Sequence, residues 1–207
     1  MRFTVNPDYE QSMNRLYTDP PWDYKSKRTG GNMKSGAAQQ YETLTNDELM
    51  AMEIPELMQR DSIAYVWVPP TILLQTDPSP LDVLKEWKIK PKSTIYWIKN
   101  AAPNTGRIGT GAWWRQEVEI LIFGIRGKVP AFKIPERNYF FEERRAHSQK
   151  PEYAWHYVEA HNDRYTNRIE LFCRGEPRAG WYGWGDECVG RHAIKVFQET
   201  SLSTTTG

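Results

Sequence analysis

Six residues, Ile63-Ala64-Tyr65-Val66-Trp67-Val68, run almost without a polar group and stop at Pro69-Pro70. A strand with one wet face alternates apolar and polar residues; a run apolar at nearly every position is covered on both faces. The segment therefore demands a sheet sandwiched between helices, and the connections that allow this are parallel crossovers. Leu16-Tyr17-Thr18, Thr94-Ile95-Tyr96-Trp97-Ile98, Val118 to Phe123 and Ile169 to Cys173 read as further strands, and Ala193 to Phe197 as a last one.

Helical signals fall between them. Thr45-Asn46-Asp47-Glu48 is a capping box, with Leu44 and Leu49 as its staple. Pro55 breaks or kinks the helix that follows. Leu81 to Trp87 is helical, with Leu81, Leu84 and Trp87 inward, and Pro151 opens a helix running to about His161. The glycine- and tryptophan-rich stretch from Gly180 to Gly190 reads as a loop. The fold class is α/β, a mostly parallel sheet covered by helices, in which ligands sit beyond the carboxyl ends of the strands. One domain is expected over residues 1–200, followed by a polar tail at 201–207. Segments 24–40 and 128–149 are long enough to be substrate-contacting loops.

Composition narrows the function classes. Of 207 residues, 39% are apolar and 26% charged, which excludes a fibrous or largely disordered chain. Mean hydropathy is -0.72, and no stretch approaches the roughly 18 apolar residues of a membrane helix. The first residues do not read as a signal peptide. Net charge is +1, so any phosphate-binding surface is local; Lys25, Lys27, Arg28, Lys34, Arg144 and Arg145 supply one. Two cysteines, Cys173 and Cys188, make no disulfide framework and suit a reducing compartment, hence the cytoplasm. The four histidines have no zinc spacing with them, so no metal is expected. Nine Trp and eleven Tyr suit a core, an interface or a base-stacking platform alike.

Asp19-Pro20-Pro21-Trp22 is the strongest local signal. A carboxylate at a strand end accepts hydrogen bonds from an exocyclic amine. Proline has no donor, so the Pro20 carbonyl is a second acceptor, and Trp22 offers a flat face to a base. The same residues also describe a strand closed by a rigid turn, with Trp22 in a core. Glu170 lies inside a strand and, if buried, needs a partner such as Lys150 or Arg174. Arg115 and Glu119, four apart, either order the glycine-rich segment before them over the substrate or form a surface pair. Lys150 on its own reads as a solvated surface lysine.

An ordered series of motifs carries a resemblance. Asp19-Pro20-Pro21-Trp22, Tyr41-Glu42-Thr43-Leu44-Thr45, Trp97-Ile98-Lys99-Asn100, Trp114-Arg115-Gln116-Glu117-Val118-Glu119 and His147-Ser148-Gln149-Lys150-Pro151 follow one another. Ile169-Glu170-Leu171-Phe172-Cys173-Arg174 and Gly180-Trp181-Tyr182-Gly183-Trp184-Gly185-Asp186-Glu187 complete it. The chain resembles the MT-A70-like family of adenine-N6 methyltransferases from about Leu16 to Glu187. The resemblance implies a permuted Rossmann-like methyltransferase fold, with the catalytic motif first and the segment for S-adenosylmethionine late. It implies that Asp19, Pro20, Pro21 and Trp22 hold the target adenine, Asp19 also lying near the cofactor's amino end. Lys150 would meet the cofactor's carboxylate. Phe172 and Arg174 would line its pocket, with Glu170 beside them, and Asp186 and Glu187 would lie near its ribose. Nucleic acid would be gripped by Lys25, Lys27, Arg28, Lys34, Arg115, Arg144 and Arg145. Because the chain is short and shows no accessory domain, the expected substrate is DNA, in a microbial or virus-infected cell. RNA methylation and a non-catalytic nucleic-acid-binding subunit are the alternatives, and a homo- or hetero-oligomer is allowed.

Overall fold

The computed structural model describes residues 3–5, 13–23, 43–99, 113–114, 116–144, 149–160, 164–189 and 197–199. In chain order the elements are β1 (Phe3–Val5), β2 (Met13–Thr18), α1 (Asn46–Met50), α2 (Ile54–Leu57), β3 (Met58–Val68), α3 (Pro70–Gln75), α4 (Pro80–Glu86) and β4 (Lys90–Lys99). Then come β5 (Val118–Arg126), β6 (Tyr139–Glu142), α5 (Ala154–Glu159), β7 (Arg168–Leu171), β8 (Arg174–Gly175), β9 (Trp181–Trp184), β10 (Glu187–Cys188) and β11 (Phe197–Glu199). Seven strands form the main sheet in the order β6-β4-β5-β3-β2-β7-β9. Its pairings are parallel except at β5, which runs antiparallel to both β3 and β4.

The expectation for β3 holds and shows its cause. Residues 62–68 are all buried, and alternate side chains enter different cores. Ala64, Val66 and Val68 pack with Leu49, Ile54, Leu57 and Leu84 under α1, α2 and α4. Ile63, Tyr65 and Trp67 pack with Ala154 and Val158 of α5. Register ties β2 between β3 and β7, with Thr18 level with Val66 on one side and Leu171 on the other.

Buried indoles explain part of the tryptophan count, because each buried N–H finds an acceptor. Trp67 donates to Tyr17 Oη (2.8 Å), Trp87 to the Leu49 carbonyl (2.8 Å) and Trp97 to the Glu142 carbonyl (2.8 Å). Fully buried Arg15 donates to the Val158 carbonyl at 3.1 Å, fastening β2 to α5.

Five expectations need correction. The stretch from Gly180 to Gly190 is not a loop: β9 adds an edge strand and β10 pairs with β8. β9 alternates buried Trp181 and Gly183 with exposed Tyr182, and the glycines mask that period of two. Leu84 and Trp87 face inward as expected, but Leu81 faces solvent; the buried stripe of α4 runs through Pro80, Val83, Leu84 and Trp87, and Leu81 lies one position off it. Pro55 kinks no helix; α1 ends at Met50, and Pro55 sits in the first turn of α2. Segment 128–149 is not loop throughout, since β6 lies within it. The last strand spans Phe197–Glu199 rather than ending at Phe197, and pairs with β1. Segment 24–40 and the tail 201–207 lie outside the described residues. Among the described residues no helix is long and apolar enough to cross a membrane.

Candidate functional site

β2 passes to β3 on one side through α1 and α2, which cover one face. β7 reaches the other side of β2 after α5, which covers the opposite face. The connections leave β2 in opposite directions, so the carboxyl ends of β2 and β7 border a topological switch point, where open α/β sheets hold ligands. Asp19 follows β2 there, and Phe172 and Arg174 follow β7.

The turn after β2 is pinned by its backbone. Trp22 N–H donates to the Pro20 carbonyl (2.8 Å), Leu44 N–H to the Pro21 carbonyl (2.8 Å) and Asp23 N–H to the Leu44 carbonyl (3.1 Å). Leu44 adjoins the capping box of α1, where Thr45 caps the Glu48 N–H and Glu48 returns to the Thr45 N–H. The rigid turn is thus braced against a helix start. Trp22 does not present a stacking face: it is 3% exposed, packs in the core under α1, and donates its indole N–H to the Trp67 carbonyl at 2.9 Å. Among the described residues the Pro20 carbonyl accepts one hydrogen bond, which leaves it a second lone pair.

Four charged side chains meet at this edge. Lys150 Nζ lies 3.0 Å from Asp19 Oδ1 and 2.8 Å from Glu119 Oε2. Lys99 Nζ lies 2.5 Å from Glu119 Oε1. The Lys150 ammonium also stands over the Trp67 ring, 5.2 Å from its centroid. Lys150 is therefore no solvated lysine; its side chain is 17% exposed. Burial pulls its ammonium down, but Asp19 and Glu119 more than offset this and hold it protonated. Burial pushes Glu119 up, yet Lys150 and Lys99 draw it down to about 2. Burial also pushes Asp19 up, and there Lys150 opposes the shift without cancelling it. Glu119 thus carries a fixed negative charge, while Asp19 is the more easily protonated carboxylate.

Of two pairings expected from sequence, one is replaced and the other, Arg115 with Glu119, involves a residue outside those described. Glu119 is held by Lys99 and Lys150. Glu170 has neither Lys150 nor Arg174 as its main partner. Burial raises it to about 7, opposed by a hydrogen bond with Cys173, with Asp19 adding to the rise and Arg178 lowering it. The thiols of Cys173 and Cys188 are free and buried, and burial pushes both up. The Lys99–Glu119–Lys150 cluster was missed as a unit; its signal was two charges, Lys99 and Glu119, inside strands of a covered sheet.

On the β7 side, Phe172 has φ of 58°, a left-handed backbone that a bulky residue enters only when its surroundings enforce it. They do: Cys173 N–H donates to the Trp184 carbonyl at 2.9 Å, and the Phe172 and Trp184 rings meet edge to face at 5.7 Å. Parallel pairing of β8 with β10 sets Arg174 level with Glu187, their charged ends 3.8 Å apart. Glu187 is exposed at the start of β10, and Asp186 is exposed on the turn before it. Of the residues expected to grip nucleic acid, Arg144 pairs with Glu117 at 2.8 Å and with the Gln116 carbonyl at 3.3 Å. Lys25, Lys27, Arg28, Lys34 and Arg145 lie outside the described residues. A cavity of about 820 Å³ outside α5 and one of about 370 Å³ beneath 129–134 are lined by other residues and do not coincide with this edge.

The donor set fits a zwitterionic sulfonium nucleoside: a carboxylate and an ammonium for its amino-acid end, acidic side chains for hydroxyls and an aromatic ring at the strand end. Known proteins give the same direction. The chain is 27% identical over 178 residues to a probable N(6)-adenosine-methyltransferase MT-A70-like protein of Oryza sativa subsp. japonica, covering 84% of this chain and 23% of that protein. It is 27% identical over 182 residues to the N(6)-adenosine-methyltransferase MT-A70-like protein of Arabidopsis thaliana, covering 86% and 24%. It is 27% identical over 183 residues to the human N(6)-adenosine-methyltransferase catalytic subunit METTL3, covering 86% and 29%. The chain spans about a quarter of the length of these relatives. Each is named for adenosine, a ribonucleoside, which overturns DNA as the expected substrate and the description of this chain as a DNA-modifying enzyme. The match to MT-A70 runs over residues 15–187, from β2 to the Arg174–Glu187 pair, and so the chain belongs to the MT-A70 family, of which dependence on S-adenosylmethionine is a defining feature.

Proposed function

We propose that this chain transfers a methyl group from S-adenosylmethionine to N6 of adenine in RNA. The observation that carries it is the Asp19-Pro20-Pro21 turn, braced by Leu44 and joined through Lys150 to Glu119 at the switch point. The adenosine-methyltransferase names of the relatives support RNA. The cofactor supplies an electrophilic methyl group on a sulfonium. The chain's own residues prepare the acceptor. The N6 lone pair is delocalised into the adenine ring, so the amine is a poor nucleophile. Asp19 and the second lone pair of the Pro20 carbonyl accept its N–H hydrogens, turn the lone pair out of the ring plane and stabilise the positive charge that grows on nitrogen. Asp19 does this as a carboxylate, and Lys150 favours that form against burial. The surplus proton on the product nitrogen passes to Asp19 and from there to water.

Asp19 and Lys150 would hold the cofactor's amino-acid end, Phe172 and Arg174 its pocket wall, and Asp186 and Glu187 its ribose hydroxyls, with Glu170 behind. A single-stranded substrate spares the cost of extruding a base from a duplex. Two free, buried thiols support a reducing, cytoplasmic setting.

The test is transfer from methyl-labelled S-adenosylmethionine to RNA and DNA oligonucleotides of one sequence, followed by nucleoside identification. N6-methyladenosine in RNA is expected, abolished by Asp19→Asn at unchanged circular dichroism. Label in DNA alone, in another base, or undiminished in Asp19→Asn would overturn the assignment. Cofactor binding without transfer to either polymer would turn it toward a non-catalytic subunit.

A further inference from the structure

All nine tryptophans are described, and seven are buried or partly buried. The exceptions are adjacent: Trp113 is 88% and Trp114 is 82% exposed. Tryptophan has the largest apolar surface of any side chain, and two neighbouring rings left in water mark a surface with a partner.

Their place in the fold says which partner. Trp114 is two residues from Gln116, so its Cα is within about 7 Å of that residue's. Gln116 and Glu117 are fixed at the carboxyl edge of the sheet: Lys99 N–H donates to the Glu117 carbonyl at 2.8 Å, and Arg144 binds the Gln116 carbonyl and the Glu117 carboxylate. Glu119, two residues on, holds Lys99 and Lys150, and Lys150 holds Asp19. The exposed tryptophans thus lie just before the segment that holds Lys150 against Asp19, at the carboxyl edge of the sheet. A third exposed aromatic, Phe141, lies at the same edge, opposite Ile98 and one position before the pair Lys99 and Glu142. The partly exposed Arg144 guanidinium, paired with Glu117, anchors the Gln116 end of this segment.

Adjacent exposed aromatic faces at the edge of a nucleotide site are the chemistry that grips single-stranded nucleic acid, because bases of any sequence stack on the rings. We propose that Trp113 and Trp114 form a stacking platform for bases flanking the target adenine in single-stranded RNA, with Phe141 at its margin. The inference rests on the RNA-methyltransferase reading for its substrate and names the residues that hold that substrate outside the pocket.

The test is fluorescence anisotropy with a dye-labelled single-stranded RNA at fixed salt, using the full chain. Trp113→Ala/Trp114→Ala is expected to weaken binding ~10-fold or more, while Trp113→Phe/Trp114→Phe stays within about 3-fold of wild type. Abasic sites flanking the adenine should weaken wild type by a similar factor and leave the double-alanine variant nearly unaffected. Both rings are exposed, so thermal melting of the variants should match wild type. Unchanged RNA affinity and KM in the double-alanine variant would overturn the platform while leaving methyl transfer standing. RNA binding that depends on both rings, with no transfer by wild type, would support the platform and overturn the methylation reading. Loss of self-association by light scattering at unchanged RNA affinity would overturn it in favour of a protein interface.

Discussion

Lys150 Nζ stands 3.0 Å from Asp19 Oδ1, joining a residue shortly before α5 to the residue that follows β2. Asp19 is pushed up by burial and held down by this ammonium. Lys150→Met removes the opposing charge, so Asp19 rises further and is ionised only at higher pH. The acid limb of the kcat/KM profile should move alkaline, and transfer at pH 7 should fall roughly 100-fold, the scale of one lost electrostatic contact at a reacting centre. A profile lowered uniformly without moving would show that Lys150 does not govern Asp19.

Glu119 is clasped by two lysines and lies at about 2, below its ordinary value of 4.5. A carboxyl depressed on folding contributes stability that is fully present above 4.5 and fades as pH falls toward 2. The linkage amounts to ~3 kcal/mol. Glu119→Gln should cost on the order of 3 kcal/mol at pH 7, because it leaves two partly buried ammonium groups short of a counter-charge. Urea denaturation from pH 6 to 2.5 should show wild type losing its advantage over the variant as acid is added. Parallel curves would remove Glu119 from the linkage.

Much of this fold is legible in the sequence where the signal is continuous. The unbroken apolar run of β3 and the Thr45–Glu48 capping box have one physical solution each, and both appear as expected. β9 was hidden because glycine contributes no side chain to a period of two. The apolar run of β5 marks a strand but not its reversed direction, since direction depends on which partners the crossovers bring alongside. The site divides in the same way. Asp19-Pro20-Pro21 declares itself by composition. Trp22 suits a base or a core equally until its indole is seen bound to the Trp67 carbonyl. The partners of Lys150 come from three distant segments, which no local pattern announces.

Glu170 faces the opposite condition from Glu119. Burial lifts it from 4.5 to about 7, chiefly without a cation to compensate. A carboxyl raised on folding favours the native state while protonated, and this benefit is lost as pH rises from 4.5 through 7. Glu170→Gln keeps the shape and the neutral form. It should leave stability nearly unchanged at pH 5 and raise it by up to ~3 kcal/mol at pH 8, read from denaturant midpoints. Equal midpoints for the two proteins at pH 8 would refute the raised value.

Gly185 lies where β9 closes on the turn after β7. A Cβ there would stand 2.7 Å from the Cys173 carbonyl oxygen, 2.9 Å from its nitrogen and 3.0 Å from the Phe172 carbonyl carbon. All three are backbone atoms, so no side chain can swing aside, and the strained Phe172 turn must move instead. Gly185→Ala should lower stability by ~1–3 kcal/mol, the usual cost of overpacking. Because the displaced turn carries Phe172 and leads into Arg174, the variant should also bind S-adenosylmethionine at least ~10-fold more weakly by calorimetry, under conditions where it is still fully folded. Gly183→Ala is the control: it meets the Pro177 ring and the Cys188 thiol rather than the Phe172 turn. It should lower stability while leaving cofactor affinity closer to wild type. Equal losses of affinity in the two variants would mean that packing of β9, and not the position of Phe172, sets the cofactor pocket.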